Sequence, residues 1–343
     1  MARSKYLPDN FTLGLIGTVA LASVLPVHGQ GAVIFNWITN IAVGLLFFLH
    51  GAKLSREAIV AGATHWRLHI LVLACTFIAF PVVGLVLRPV LSSLVTPALY
   101  AGVLFLCTLP STVQSSIAFT SKARGNVPAA VCAASASSLL GIFATPALVG
   151  LVVTSQNARG GSGWHTVGDI VMQLLVPFIA GQLLRPVVGH WVERNRSVLK
   201  LVDNGSILCV VYGAFSAAVT EGLWRHVPLS ALGGLVVISC ILLAILLGLT
   251  MFASKKLGFS RADQITIIFC GSKKSLAAGV PMAKVIFAAN AVGAVVLPLM
   301  VFHQIQLMVC AALAGHWGER DMSAEQSAEG GDESRAAAPE GQR

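Results

Sequence analysis

Two apolar stretches of this chain each break in the middle, and the breaks fall at matching places in its two halves. Leu99 to Leu109 runs into Pro110-Ser-Thr-Val-Gln-Ser-Ser116, and Ile265 to Cys270 runs into Gly271-Ser-Lys-Lys-Ser275. Both lie among near-continuous runs of membrane length. In hydrocarbon every backbone N–H and C=O needs a protein partner, so an interrupted span is tolerated only against protein or a water-lined cavity. Paired interruptions of this kind point to the binding site of a secondary transporter.

With 56% hydrophobic and 11% charged residues among 343, the chain has too little polar surface for a water-soluble globule. Apolar runs of about 20 residues divide it into ten spans: Phe11 to Pro26, Ala32 to Gly51, Ile70 to Leu87, Leu99 to Thr120, Val127 to Val153, Val167 to Val188, Ser206 to Thr220, Leu229 to Ala253, Ile265 to Phe287 and Val292 to Gly315. The expected fold is all-α, a polytopic membrane protein. Five spans per half is an odd number, so a second copy of the first half enters the membrane from the opposite side, and two inverted five-helix repeats follow. Spans four and nine, the interrupted ones, are then equivalent.

The division is 1–9 as a cytoplasmic N-terminus, 10–153 as the first repeat, 154–166 as a connecting loop, 167–317 as the second repeat and 318–343 as a disordered cytoplasmic tail. The tail holds seven acids and three bases after Trp317. With both termini cytoplasmic in a cell membrane, the inner loops and ends carry fourteen basic residues and the outer loops only Arg88, Arg159, Arg225 and Lys284. That bias is the positive-inside rule. The net charge of +9 therefore reports topology and gives no reason to invoke a nucleic-acid partner. The first span also fits a signal peptide after Arg3 and Lys5, but its removal would destroy this agreement. All seven cysteines lie within spans without Cys-x-x-Cys spacing, so a disulfide framework or zinc site is not indicated.

Candidate chemistry gathers at the breaks. Five oxygen-bearing side chains (Ser111, Thr112, Gln114, Ser115, Ser116) fall within six positions, a density suited to a hard cation; back-bonding to helix carbonyls is the plainer alternative. Span five adds Ser135, Ser137 and Ser138, which double as small helix-contact residues. Lys273 and Lys274 are the sharpest signal, because an intramembrane lysine costs about 3 kcal/mol by insertion scales and must face water, an acid or an anion. The alternative is an interfacial loop. His303, Gln304 and Gln306 sit midway along span ten, as hydrogen-bonded structure or a proton relay. Pro146 and Pro298 read as kinks. A Ser272/Lys273 nucleophile pair is conceivable, yet adjacent helical residues diverge by about 100°, and the His-Glu-x-x-His and Gly-x-Ser-x-Gly motifs are absent; the chain does not read as an enzyme.

The motifs Pro110 to Thr120, Arg124-Gly-Asn126, Leu139 to Pro146, Lys274 to Lys284 and Phe302-His-Gln-Ile-Gln306 together resemble the bile acid:sodium symporter superfamily over about residues 10 to 317. The resemblance is strongest to the branch containing solute carrier family 10 member seven and its bacterial relatives. It implies ten spans as a panel and a core domain, with broken helices four and nine crossing. It also implies cation ligands at Ser115 and Ser116, and in helix five near Ala130 and Ala134, where a hydroxyl shifts to Ser135 at best; Ser138 on the same span is the further cation-binding candidate. Members of the superfamily place a glutamate in helix nine, whereas this chain has no acid from Gln264 to Ala289. The resulting expectation is a transporter of a small organic anion working by alternating access, with Gln114, Ser272, Lys273, Lys274, His303 and Gln304 as substrate contacts. No cofactor is implied. A lysine in a cation position puts sodium coupling in doubt and leaves H+ as the other coupling ion. A non-transporting regulator, for example of calcium entry, is the rival expectation.

Overall fold

The computed structural model describes residues 10–53, 65–153 and 163–336, and among these every regular element is helical. Apart from short helical turns at Arg88–Leu91, Ser92–Leu94 and Leu223–His226, they are in chain order α1 (Asn10–Val24), α2 (Gln30–Lys53), α3 (Trp66–Val86), α4 (Pro97–Thr108), α5 (Gln114–Lys122), α6 (Val127–Val152), α7 (Gly163–Arg194), α8 (Arg196–Thr220), α9 (Leu229–Lys256), α10 (Arg261–Gly271), α11 (Leu276–Ile286) and α12 (Ala289–Ala336). Six of the described helices are by length and composition able to cross a membrane. Their outward faces are apolar: Ile41, Leu151, Leu201 and Leu229 are 68 to 86% exposed, which a bilayer accommodates and water does not.

Local sequence sets the helix starts. Thr96, Asn126, Ser260 and Ser275 each accept a hydrogen bond from the backbone N–H three residues on, opening α4, α6, α10 and α11. Pro97 and Pro128 occupy first turns, where the missing N–H costs nothing. Helix α3 contains a π-helical turn at Cys75–Ala79. Beyond Trp317, α12 continues to Ala336 across a segment whose composition favours disorder. Its Ala, Glu, Gln and Arg residues are also good helix formers, and propagation from an existing helix needs no new nucleus. The expected N-terminal segment 1–9 and most of the connecting loop lie outside the described residues, and α7 begins at Gly163.

Helices α1, α2, α7 and α8 pack together as one group, and α3 to α6 with α9 to α12 as another. In the first group α2 and α7 touch backbone to backbone: a Cβ on Gly51 would lie 2.1 Å from the Phe178 carbonyl oxygen, and one on Gly181 would lie 2.0 Å from that of Phe48. The groups meet along a seam where α8 packs on α11 and α12, and α7 on α6 and α11. The core of the second group is where α4 and α5 face α10 and α11.

Candidate functional site

Helix α4 ends at Thr108 because Leu109, the residue before Pro110, is extended (φ −73°, ψ 156°). Helix α10 ends at Gly271, and α11 starts after the Ser275 cap. Each interruption strands backbone groups that in a helix would bond one another, and in a buried site each needs a partner.

The two interruptions partner each other. The Ser275 amide donates to the Pro110 carbonyl at 2.9 Å. The Ser111 hydroxyl donates to the Cys270 carbonyl at 2.5 Å, and that of Ser116 to the Phe269 carbonyl at 3.0 Å. From α6, the Ser137 hydroxyl accepts from the Ser111 amide at 3.0 Å and Thr145 donates to the Thr108 carbonyl at 2.9 Å. Proline 110 is seated against Gly141 of α6, where a Cβ would come within 2.7 Å of the ring. From α12, Gln306 holds the second break at both ends of one residue: its Oε1 accepts from the Lys274 amide at 2.9 Å and its Nε2 donates to the Lys274 carbonyl at 2.8 Å. This pattern fixes the amide orientation, so His303 Nδ1, 2.8 Å from Nε2, accepts.

Lys273 and Lys274 are both completely buried within the protein, and their side chains diverge. The Lys274 ammonium donates to the carbonyls of Thr76, Cys107 and Leu109 at 2.7, 2.8 and 2.7 Å and lies 4.1 Å from the centre of the Phe80 ring. Thr76 belongs to the π-helical turn of α3, a geometry that re-aims backbone groups and recurs at functional sites. Three charge-assisted hydrogen bonds at about 1.5–3 kcal/mol each match the several kcal/mol of desolvation that a buried cation costs. Lys273 is less well compensated. Its ammonium reaches the Ser115 hydroxyl at 3.4 Å and otherwise faces the rings of Phe119 and Phe269, at 4.4 and 5.6 Å from their centres.

The sequence-derived candidates thus separate. Ser115 and Ser116 join Thr112 in a chain of hydroxyls with Oγ separations of 2.8 and 2.9 Å, and Ser115 receives the Lys273 ammonium. In α6 it is Ser137 that bonds to the break, while Ser135 and Ser138 are half-buried beside it. Gln114, the first residue of α5, is exposed. The Ser272 hydroxyl donates to the Ile268 carbonyl at 2.6 Å, so it is engaged with its own helix. His303 reaches the break through Gln306, and Gln306 makes the direct contact in place of the half-buried Gln304. The Thr145 hydroxyl and the Thr76 and Cys107 carbonyls carry no assignment in the sequence, whereas Gln306 stands out there as a polar residue in an apolar span.

Comparison with known proteins gives a consistent result. Residues 9–319 match the family described as the SBF-like CPA transporter family. An uncharacterized protein of Pseudomonas aeruginosa is 65% identical over 320 residues, covering 93% of this chain and 96% of the relative. The Escherichia coli protein named "Putative symporter YfeH" is 55% identical over 306 residues, 89% of this chain and 92% of the relative. The Xenopus tropicalis protein named "Sodium/bile acid cotransporter 7" is 29% identical over 314 residues, 88% and 90% of the two chains.

Proposed function

From the premise that this chain belongs to the SBF-like CPA transporter family, within the bile acid:sodium symporter superfamily, we propose that it is a secondary transporter of a small organic anion that carries its own positive charge where sodium would otherwise sit. The observation that carries this reading is the Lys274 ammonium, held by three carbonyl oxygens drawn from α3 and from the broken end of α4. Carbonyls freed by an interruption are cation ligands in transporters of this general design, and here a side chain of the other interrupted span occupies them. Lys273 plays the corresponding part beside the Ser115 hydroxyl.

A sodium ion at about 4 Å from a fixed ammonium meets roughly 4 kcal/mol of repulsion at an effective dielectric of 20, enough to weaken binding about a thousandfold. With no carboxylate between Gln264 and Ala289 to offset it, sodium is not the coupling ion, and a proton or an exchanged anion supplies the driving force. The retained positive charge instead favours an anionic substrate. Supporting the transport mode, the two helical groups meet along a seam of a few helices; rocking of one group against the other exposes the crossing of the broken helices to each side in turn. The ten-span inverted repeat, with both termini cytoplasmic, belongs to the same reading.

Counterflow in liposomes containing only the purified protein tests it. Accumulation of a labelled organic anion against unlabelled anion, unchanged when choline replaces sodium, is the expected result. Its absence across bile acids, aliphatic carboxylates and sulfates favours a regulator that retains the fold without transporting.

A further inference from the structure

The buried lysines are poor first contacts for an arriving anion, since Lys274 already uses three acceptors and Lys273 has no exposed surface. A third lysine lies elsewhere. Lys284, in the last turn of α11, is half-buried, and its ammonium donates to Asn36 Oδ1 at 2.7 Å and to the Thr39 hydroxyl, both on α2. It bridges the two helical groups. At 1.5 Å per residue it stands about 12 Å along the axis from Leu276 at the break, and Asn36 and Thr39 lie in the first half of α2. The three residues therefore sit toward one mouth of the seam.

The balance of charge here is incomplete. Both partners of Lys284 are neutral, and an ammonium has three N–H donors for the two oxygens. The ion pairs of Lys53 with Asp203 and of Arg185 with Glu193 lie elsewhere, and Lys284 makes none among the described residues. A half-buried cation in an apolar helix with no carboxylate opposite it is stabilised by an anion from outside. Asn36 adds two amide N–H donors besides the oxygen Lys284 uses, which suits the two oxygens of a carboxylate.

We propose that Lys284, with Asn36 beside it, is the docking site for the anionic group of the substrate at the mouth of the seam, where a carboxylate or sulfonate takes the ammonium from α2. This rests on the organic-anion reading above and adds the place where the anion is first held. Because the same ammonium ties α11 to α2, docking releases a bridge between the moving groups, so occupancy and movement of the seam are linked.

Thermal unfolding of the purified full chain in detergent, titrated with taurocholate and with benzoate, tests the site. The wild type is stabilised by at least one of them. Lys284→Gln weakens the apparent affinity about tenfold or more, whereas Lys284→Arg, which keeps the charge and the donors, stays within about threefold. Asn36→Ala, at an exposed position that folding tolerates, weakens it about threefold. If Lys284→Gln lowers the unfolding temperature but leaves the anion-induced increment intact, the bridge is structural only and the docking site is wrong while anion transport stands. A wild type that responds to neither anion contradicts the transport reading as well.

Discussion

The Lys274 ammonium donates to the Leu109 carbonyl oxygen at 2.7 Å, so a charge from one interrupted span closes the open end of the other. Removing it leaves the Thr76, Cys107 and Leu109 carbonyls facing an empty, buried space. At about 1–3 kcal/mol for each unsatisfied buried group, Lys274→Ala lowers stability by more than about 3 kcal/mol. The vacated oxygens then offer a monovalent cation site. Unfolding temperatures in sodium or potassium chloride exceed those in choline chloride at equal ionic strength for Lys274→Ala, and do not for the wild type.

Lys273 predicts the opposite ranking. Its one hydrogen bond is long, at 3.4 Å, and the aromatic faces around it accept an uncharged side chain of similar length. Replacing a poorly compensated buried charge by an apolar group is often neutral or stabilising. Lys273→Met therefore changes stability by less than about 1 kcal/mol, measured by thermal unfolding beside Lys274→Ala. A loss equal to that of Lys274→Ala contradicts this division of roles.

Two amides two residues apart on α12 separate structure from proximity. Gln306→Ala leaves both the N–H and the C=O of Lys274 without their partner, a cost of about 2–4 kcal/mol. Gln304→Ala leaves both of these hydrogen bonds in place and costs less than Gln306→Ala. Paired denaturation curves of the two variants give the comparison.

In the other helical group, Gly181→Val forces α2 and α7 apart, because even a Cβ would come within 2.0 Å of the Phe48 carbonyl oxygen. The substitution yields little folded protein by size-exclusion chromatography, while Gly233→Val, where nothing lies within 4 Å of the added carbon, folds normally.

The breaks were legible in the sequence because their causes are local: Pro110 excludes a helical Leu109, and a run of small, polar and charged residues stops α10. What satisfies them was not, because those contacts join distant residues whose choice depends on how a helix is rotated. Gln304 and Gln306 differ by about 200° around α12, and a helix that is apolar on every side gives no face by which to choose. The same ambiguity favoured Ser135 and Ser138 over Ser137, the residue that meets the Ser111 amide. The π-helical turn that aims the Thr76 carbonyl has no sequence signature at all. The lysines were conspicuous from their cost in hydrocarbon, but their separate fates, one saturated by carbonyls and one held by rings, follow only from packing.

Equilibrium binding of radioactive sodium to the purified chain reads out whether Lys274 fills a sodium position, and it needs no knowledge of the substrate. The wild type is expected to show no saturable sodium binding, and Lys274→Ala to acquire it. Stoichiometric, saturable sodium binding to the wild type, undiminished by the intact lysine pair, would contradict that role of Lys274.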